Sequence, residues 1–528
     1  MNHKKRYLTI SAISVIFLFT VASVGPASYS KAVNIYEKIR VLNQIISIVN
    51  ENYVEPINWD EALDGAFLGL LDELDPHSSY ISRDKLETVN EQFHGKFEGI
   101  GIEFDLLSGY ITVIAPVVDS PSDRAGLQPG DKIVSIDGQD AYEITREDVY
   151  NTLRGPKGTT VLLTIRRPGQ EETFDVEIIR DQIPIYSLIS SFMIDDRTGY
   201  MRLTRFASST SQEVSEAVKS LRAEGMTRLI FDLRTNSGGY LEQAVNVADL
   251  FITSPDTLVY TAGRKAEMSE VYVASPKRGY GDFAVIVLIN RWSASASEIV
   301  AGAVQDLDRG LVMGETSFGK GLVQRQWPLK DGSALRVTIA RYYTPSGRLI
   351  QRPYDNGTRD YYEDLGNDTR EELLDSLRMD KPKYKTKRGR EVHGGGGISP
   401  DVYVPLSEYT ATTSRLVGHP KRLTFNWGTD YAKERKDDWK NLIEFNRDFH
   451  ISAELIENFL TYAKNQSVDF DRKELDKDIR YLKSVLKAEV AGAIWGKSAY
   501  YQMFVSNDPQ VSTALSHFDE AAEFLVHQ

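Results

Sequence analysis

Three serines at alternate positions, Ser293, Ser295 and Ser297, stand between an apolar run at 283–289 and a segment whose apolar residues recur at helical spacing, Ile299, Val300 and Val304. The run is short, continuous and rich in Val and Ile, which predicts a fully buried strand, and residues 298–305 predict the helix that follows it. A serine at such a junction lies beside amide N–H groups that lack an intrahelical partner and stabilise negative charge. It becomes a nucleophile when a neighbouring base removes its proton. Leu311–Gly314 reads as a second strand, followed by the tight segment Phe318-Gly319-Lys320-Gly321. Glycines on both sides of Lys320 let the backbone turn sharply and set the amine against a neighbouring strand. Burial lowers a lysine's pKa, so Lys320 can act as the general base in place of histidine. Gln324 can hydrogen-bond that amine and fix it. The histidines offer no alternative motif: His3, His419, His450, His517 and His527 lie in terminal regions, and His77, His94 and His393 have no pattern suited to a serine.

These residues need elements to position them. A chain of 528 residues exceeds one core, and the length suggests about three or four domains. Hydrophobic content of 41% and charged content of 26% are ordinary for globular protein. A net charge of −13 argues against nucleic acid as a partner and gives no support for an anionic membrane surface. The absence of cysteine excludes disulfides, thiolate zinc sites, cysteine nucleophiles and a cysteine-linked lipid. His393 beside four glycines has no second ligand at metal-binding spacing, and no metal or other cofactor is expected. Lys4-Lys5-Arg6 precedes an uncharged, mostly apolar stretch at 8–24. This predicts an export signal over 1–30, and both cleavage and retention as a single-pass anchor fit its length. Export places the protein in the periplasm or cell envelope.

Residues 31–88 read as helices, with Ile35, Ile39, Leu42, Ile45, Ile46 and Val49 in one stripe and Ala62, Ala66, Leu68 and Leu71 in the next. The turn Asp75-Pro76-His77-Ser78-Ser79-Tyr80 ends them, with His77 expected to satisfy turn carbonyls. Residues 183–350 alternate strand and helix. Strands at 199–203 and 228–233 flank a helix with Val214, Ala217, Val218 and Leu221 on its apolar face. Ala244, Val245, Ala248 and Phe251 mark the next helix, and 334–343 a further strand. That alternation predicts an α/β layer with parallel strands. The Gly-rich segment 232–239 sits between strand and helix but lacks the Lys-Ser/Thr of a phosphate loop. Residues 351–397 are charged and poor in aliphatics, predicting a mobile surface insertion. Residues 409–528 read as a helical domain, with Leu455, Phe459 and Leu460 in one stripe. Asp471 and Glu474 suggest a capping box ahead of Leu475, Ile479, Leu482, Leu486 and Val490.

S-A-S-A-S-E-I followed by G-E-T-S-F-G-K-G-x-V-Q resembles the C-terminal processing peptidases, or tail-specific proteases. In that family the middle serine is the nucleophile, a lysine 25 positions later the base, and a glutamine follows four further on. Ser295, Lys320 and Gln324 match these spacings (320 − 295 = 25; 324 − 320 = 4). The segment Asp232-Leu233-Arg234-Thr235-Asn236-Ser237-Gly238-Gly239 resembles the family's DLRxNxGG. The resemblance implies that the amide of Gly239 forms the oxyanion hole with that of Ala296. Ser237 departs from the family's common proline without touching that amide. Residues 398–408 resemble its GGI-PDV strand, which returns to the core.

Residues 89–182 resemble a PDZ domain through Phe97-Glu98-Gly99-Ile100-Gly101-Ile102 and the downstream Gly126-Leu127-Gln128-Pro129-Gly130-Asp131. In such domains a glycine loop presents backbone N–H groups to a peptide carboxylate and the following strand pairs with the peptide. Gly99 and Gly101 match that loop and Ile102 begins the strand. Val149 and Leu153 fit its helix, and Arg154 is expected to reach toward the lysine when peptide binds. The resemblance therefore implies a multidomain α/β chain: a crotonase/Clp-like protease core with an inserted PDZ domain, N-terminal helices and a C-terminal helical domain. It implies an exported serine endopeptidase that takes protein substrates by apolar C-termini. The competing reading is a catalytically inactive PDZ binding protein, an envelope chaperone or scaffold. A crotonase-type acyl-transfer enzyme would leave the PDZ segment and the signal unexplained. Beyond substrate, a homodimer and a regulatory adaptor are the expected partners.

Overall fold

The computed structural model describes residues 35–275, 279–367, 369–377 and 380–525. The stretch 8–24, and the signal or anchor read from it, lies outside them. The described residues fall into two compact units, one up to Gly69 and one from Leu70 onward. In the first, the helix Ile35–Asn52 has no buried residue, and its stripe of Ile35, Ile39, Leu42 and Ile45 is exposed. Among the described residues no helix is long and apolar enough to cross a membrane.

The centre of the second unit is a six-stranded sheet in the order Leu188–Met193, Thr198–Leu203, Arg228–Asp232, Ala284–Ile289, Leu311–Gly314 and Val402–Tyr403. The first pair is antiparallel and every other pair parallel. Its strands are apolar at nearly every position because both faces are covered. Alternation then sorts the side chains. Met201, Leu229, Phe231, Val285 and Val287 face the helices Thr210–Ala223, Leu241–Asp249 and Ala296–Asp306. Tyr200, Ile230, Ile286 and Leu288 pack instead against Val505, Val511, Ala514, Phe518 and Phe524, from the last helices of the chain.

The parallel layer is not the whole core. Ala334–Tyr343 joins a second, antiparallel sheet with Ser79–Ile81, Leu322–Pro328 and Thr257–Gly263. A ten-residue strand in which only Ala334, Ala340 and Tyr342 are buried suits an antiparallel sheet that is covered less completely, and this separates it from the parallel set. The inserted β unit is a five-strand antiparallel path from Ile102–Leu107 to Phe174–Ile179. Val149 and Leu153 of the helix Arg146–Leu153 complete its core with Ile111, Val113, Ile133 and Leu163. Paired strands Lys96–Gly99 and Asp181–Pro184 lead into and out of it. Residues 411–495 build a helical core around Trp427, Phe445, Phe459, Leu482 and Leu486. There Asp471 caps its helix by accepting from the N–H groups of Lys473 and Glu474.

Candidate active site

The three serines divide by what their hydroxyls do. Ser293 Oγ donates to the carbonyl of Leu233 at 2.9 Å and Ser297 Oγ to that of Asn236 at 2.8 Å. Both are buried braces that hold the 232–239 loop against the helix start. Ser295, at the N-cap of Ala296–Asp306, is half-buried, and its Oγ donates none of the described hydrogen bonds. Its φ of 54° and ψ of −110° lie outside the regions a non-glycine residue favours. Such strain persists only where surrounding contacts impose it, and it gathers at functional sites.

Those contacts include Glu298, the fourth residue of a Ser-x-x-Glu capping box. Fully buried, it accepts Ser295 N–H at 2.7 Å and Lys320 N–H at 2.9 Å on Oε2, and Gly319 N–H at 2.6 Å and Ser317 Oγ at 2.5 Å on Oε1. Burial pushes its carboxyl up to about 7, against four donors that favour the ionised form. Tyr342, also buried, places its hydroxyl 2.6 Å from the carbonyl oxygen of Lys320 and 3.1 Å from that of Ser295. One carboxylate and one hydroxyl thus join the backbones of both residues.

Lys320 carries an amine whose pKa is lowered to about 8, first by burial and then by the Arg336 guanidinium, with Glu298 and Asp75 opposing. His77 sits close enough to feel that amine. Burial first, and Lys320 second, hold its imidazole down at about 3, so it is neutral. Its partners differ from the turn carbonyls expected for it. Nε2 meets the Tyr361 hydroxyl at 3.0 Å and Nδ1 the Tyr362 hydroxyl at 3.4 Å. Gln324 also departs from expectation: its described side-chain bond runs to Thr338 Oγ1 at 3.4 Å rather than to the lysine. A register shift between Val323 and Gln324 opposite Thr338 accounts for that direction.

The 232–239 loop closes on the serine through its glycines. Gly238, at φ 101°, passes so near that a Cβ there would lie 2.9 Å from Ser295 Cβ and 3.0 Å from Ala296 N. At Gly239, φ 151°, a Cβ would meet the Phe206 carbonyl oxygen at 2.1 Å. Neither Gly239 N–H nor Ala296 N–H donates any of the described hydrogen bonds. Two unused amide donors near a half-exposed hydroxyl can stabilise an oxyanion formed when that hydroxyl attacks a carbonyl. Asp232 and Arg234 anchor the loop from below. Arg234 reaches Asp232 at 2.6 Å and, on its other side, Asp508 at 2.8 Å and Gln510 at 2.8 Å.

In the inserted β unit the expected peptide-binding residues separate into two groups. Phe97 and Gly99 pair with Ile183 and Asp181 and so belong to the connecting ribbon. The Arg154 guanidinium lies over the Phe97 ring at 5.3 Å and pairs with Glu91 at 2.7 Å. Ile100 is buried in the unit's core. Carbonyls of Ile100 and Gly101 accept from Ser122 and Val117, while their own N–H groups donate none of the described bonds. Ile102 opens the edge strand Ile102–Leu107, which is paired on one side only. Across the gap to the helix Arg146–Leu153, Phe104 and Tyr150 rings meet at 5.4 Å and Arg146 bonds Asp105 at 2.5 Å. Asp105 and Glu103 are also held from the C-terminal helices, by Arg422 at 2.8 Å and Lys497 at 2.7 Å.

Two functional candidates went unread in the sequence. Glu298 carried a signal, the Ser-x-x-Glu spacing; Tyr342 carried none. Among the described residues no cluster of His, Asp and Glu is arranged to hold a metal.

The model of peptidase family S41 matches residues 197–362, that of the PDZ domain matches 112–167, and a family of unknown function matches 421–496. A carboxy-terminal-processing protease of Bartonella bacilliformis is 38% identical over 324 residues, covering 60% of this chain and 74% of the relative. The carboxy-terminal processing protease CtpA of Bacillus subtilis is 32% identical over 338 residues, covering 63% and 68%. Among solved structures, the photosystem II D1 C-terminal processing protease is 25% identical, with a TM-score of 0.35 over 72% of this chain and 92% of that one.

Proposed function

The chain belongs to the carboxy-terminal processing peptidases, and we propose that it is an exported serine endopeptidase working through Ser295 and Lys320 on proteins bound by their C-terminal tails. One observation carries the catalytic part. A strained, half-exposed serine and a lysine held down at about 8 share the Glu298 carboxylate and the Tyr342 hydroxyl, beside two amides with no described partner. The uncharged stretch 8–24 behind Lys4-Lys5-Arg6 supports export to the cell envelope.

The tail adds as a strand to the free edge of Ile102–Leu107, its carboxylate on the N–H groups of Ile100 and Gly101. An internal peptide bond lies over Ser295. Neutral Lys320 takes the Ser295 proton as Oγ bonds to the carbonyl carbon, and the displaced electron pair forms an oxyanion on the N–H groups of Gly239 and Ala296. When the intermediate collapses, the C–N bond breaks and the Lys320 ammonium protonates the departing amine. Water then loses a proton to Lys320, attacks the acyl carbon, and frees the new carboxyl terminus as Ser295 regains its hydrogen.

The test compares wild type with Ser295→Ala on an unfolded protein ending in apolar residues, with products read by mass spectrometry. Internal cleavage by wild type, and binding without cleavage by the variant, is the expected result. Cleavage by both removes Ser295 from the chemistry. Binding without cleavage by both favours a peptide-binding scaffold.

A further inference from the structure

The segment 351–377 has the composition of a surface insertion, yet Arg352, Tyr361, Leu365 and Arg370 are buried in it, Arg370 to 1% exposure. What buries them is the stretch leading to Lys320. After Gly314 that stretch has no regular secondary structure as far as Leu322, so its backbone groups must find other partners. The insertion supplies several of them. Arg291 pairs with Glu315 at 2.9 Å and donates to the carbonyls of Leu365 and Asn367, each at 3.3 Å. Glu371 accepts the N–H and the hydroxyl of Thr316 at 2.9 and 2.8 Å. Arg370 donates to the carbonyls of Thr316 at 3.0 Å and Ser317 at 2.9 Å. Phe318 lies under the Arg352 guanidinium at 4.4 Å, with the Tyr361 ring at 5.6 Å. The Arg352 amide donates to Gly319 O at 3.0 Å. The amides of Gly319 and Lys320 then return to Glu298.

We infer that the insertion is a clamp that sets Lys320, with Arg370 and Glu371 as positioning residues for the reaction. This rests on the Ser295/Lys320 reading. A planar guanidinium that satisfies two successive carbonyls fixes their separation, which a single-point donor cannot do. The lysine works only if its amine stays within hydrogen-bond reach of the serine, and a displacement of about 1 Å costs on the order of 10²-fold in rate. The charged and titratable groups facing Lys320 are Glu298, Asp75, Arg336 and His77. None is in the clamp, so clamp variants act on Lys320 through geometry and solvation rather than through charge at contact.

The test uses the full chain and a quenched fluorescent peptide, with Arg370→Met, Arg370→Lys and Glu371→Gln. The control is Arg359→Gln, whose side chain is 85% exposed in the same insertion. Arg370→Met is expected to lower kcat about 10²-fold with KM within about twofold, and to move the acid limb of the pH profile to higher pH as water reaches the amine. Arg370→Lys falls between Met and wild type, Glu371→Gln loses about tenfold, and Arg359→Gln matches wild type. Thermal melting reports folding, and if Arg370→Met does not fold, Glu371→Gln carries the test. Wild-type kcat and an unmoved limb in the folded variants, or a raised KM with kcat intact, overturn the clamp. Lys320→Ala run alongside separates the two claims. If it is inactive while the clamp variants behave as wild type, only the clamp fails; if it stays active, the Ser/Lys reading fails and the clamp with it.

Discussion

The serine side and the lysine side of this site are built from different materials. Ser295 stands where a buried parallel strand hands over to a helix in which every residue is buried, and its neighbours Ser293 and Ser297 are bonded into the same core. Lys320 stands in a stretch without regular structure, shaped by guanidinium and carboxylate groups brought from an insertion far along the chain. Regular structure positions the first through its own hydrogen-bond ladder. The second depends on side chains that must each be present. The contrast teaches that a pair of residues proposed for chemistry can have one rigid half inherited from the sheet and one half assembled from accessory parts.

Glu298 belongs to both halves, so breaking it should have the largest effect. Glu298→Gln replaces two acceptor oxygens by one and turns an amide donor toward N–H groups. Unpaired buried donors cost about 1–3 kcal/mol each, and the loss of register between Ser295 and Lys320 is expected to reduce kcat by more than about 10²-fold. Activity within twofold of wild type would show that the halves hold their positions independently. The serine side alone is tested by Gly238→Ala. Its new methyl would press on Ser295 Cβ and Ala296 N, at a φ of 101° that alanine avoids. A fall in kcat of about 10²-fold is expected, with KM little altered.

The lysine side is sharpened by pH. With the amine at about 8, kcat/KM should rise about tenfold per pH unit up to that value and level off above it. A limb near 10 would mean a solvated amine. Stability follows the same proton with a definite sign. The unfolded lysine holds its proton up to about 10.5 and the folded one only to about 8, so between these values the unfolded chain binds more protons and stability rises with pH. Below about 8 the buried cation costs its full amount. Lys320→Met should therefore be more stable than wild type by up to about 3 kcal/mol at pH 7, an advantage that shrinks as pH rises from about 8 and is gone near 10.5 in denaturant titrations. The smallest effect lies outside both halves. Arg146→Ala removes the bond to Asp105 across the peptide groove and should change KM for tail-bearing substrates only a few-fold, with kcat unchanged for short peptides.

Much of the serine side was legible because it is written in local patterns. The Val/Ile run, the alternate serines and the Gly-Gly turn are contiguous, and the Ser-x-x-Glu spacing that marks Glu298, though unread, is contiguous too. The lysine side was legible only as a Gly-flanked residue. Arg352, Arg370 and Glu371 look like solvated charges in composition, since such residues are seldom buried unless paired, and pairing between residues some fifty positions apart leaves no trace in one sequence. The direction of the Gln324 side chain was hidden for another reason. Counting four positions from Lys320 says nothing about a register shift in the strand between them. The strand Ala334–Tyr343 was found, but which sheet it joins is decided by partners such as Ser79–Ile81 that lie far away in the chain.

The sheet that carries the serine is finished by the last residues of the chain. Tyr200, Ile230, Ile286 and Leu288 have no cover on their face until Val511, Ala514 and Phe518 arrive, and Arg234 lacks its outer partners until Asp508 and Gln510 do. During synthesis from the N-terminus, the strands and glycine loops around the serine are therefore made long before the layer that closes them in. A nascent chain stopped short of residue 505 holds all the residues proposed for chemistry and still shows an open apolar face. Synthesis of residues 505–524 is thereby built into the folding of this core as a late step.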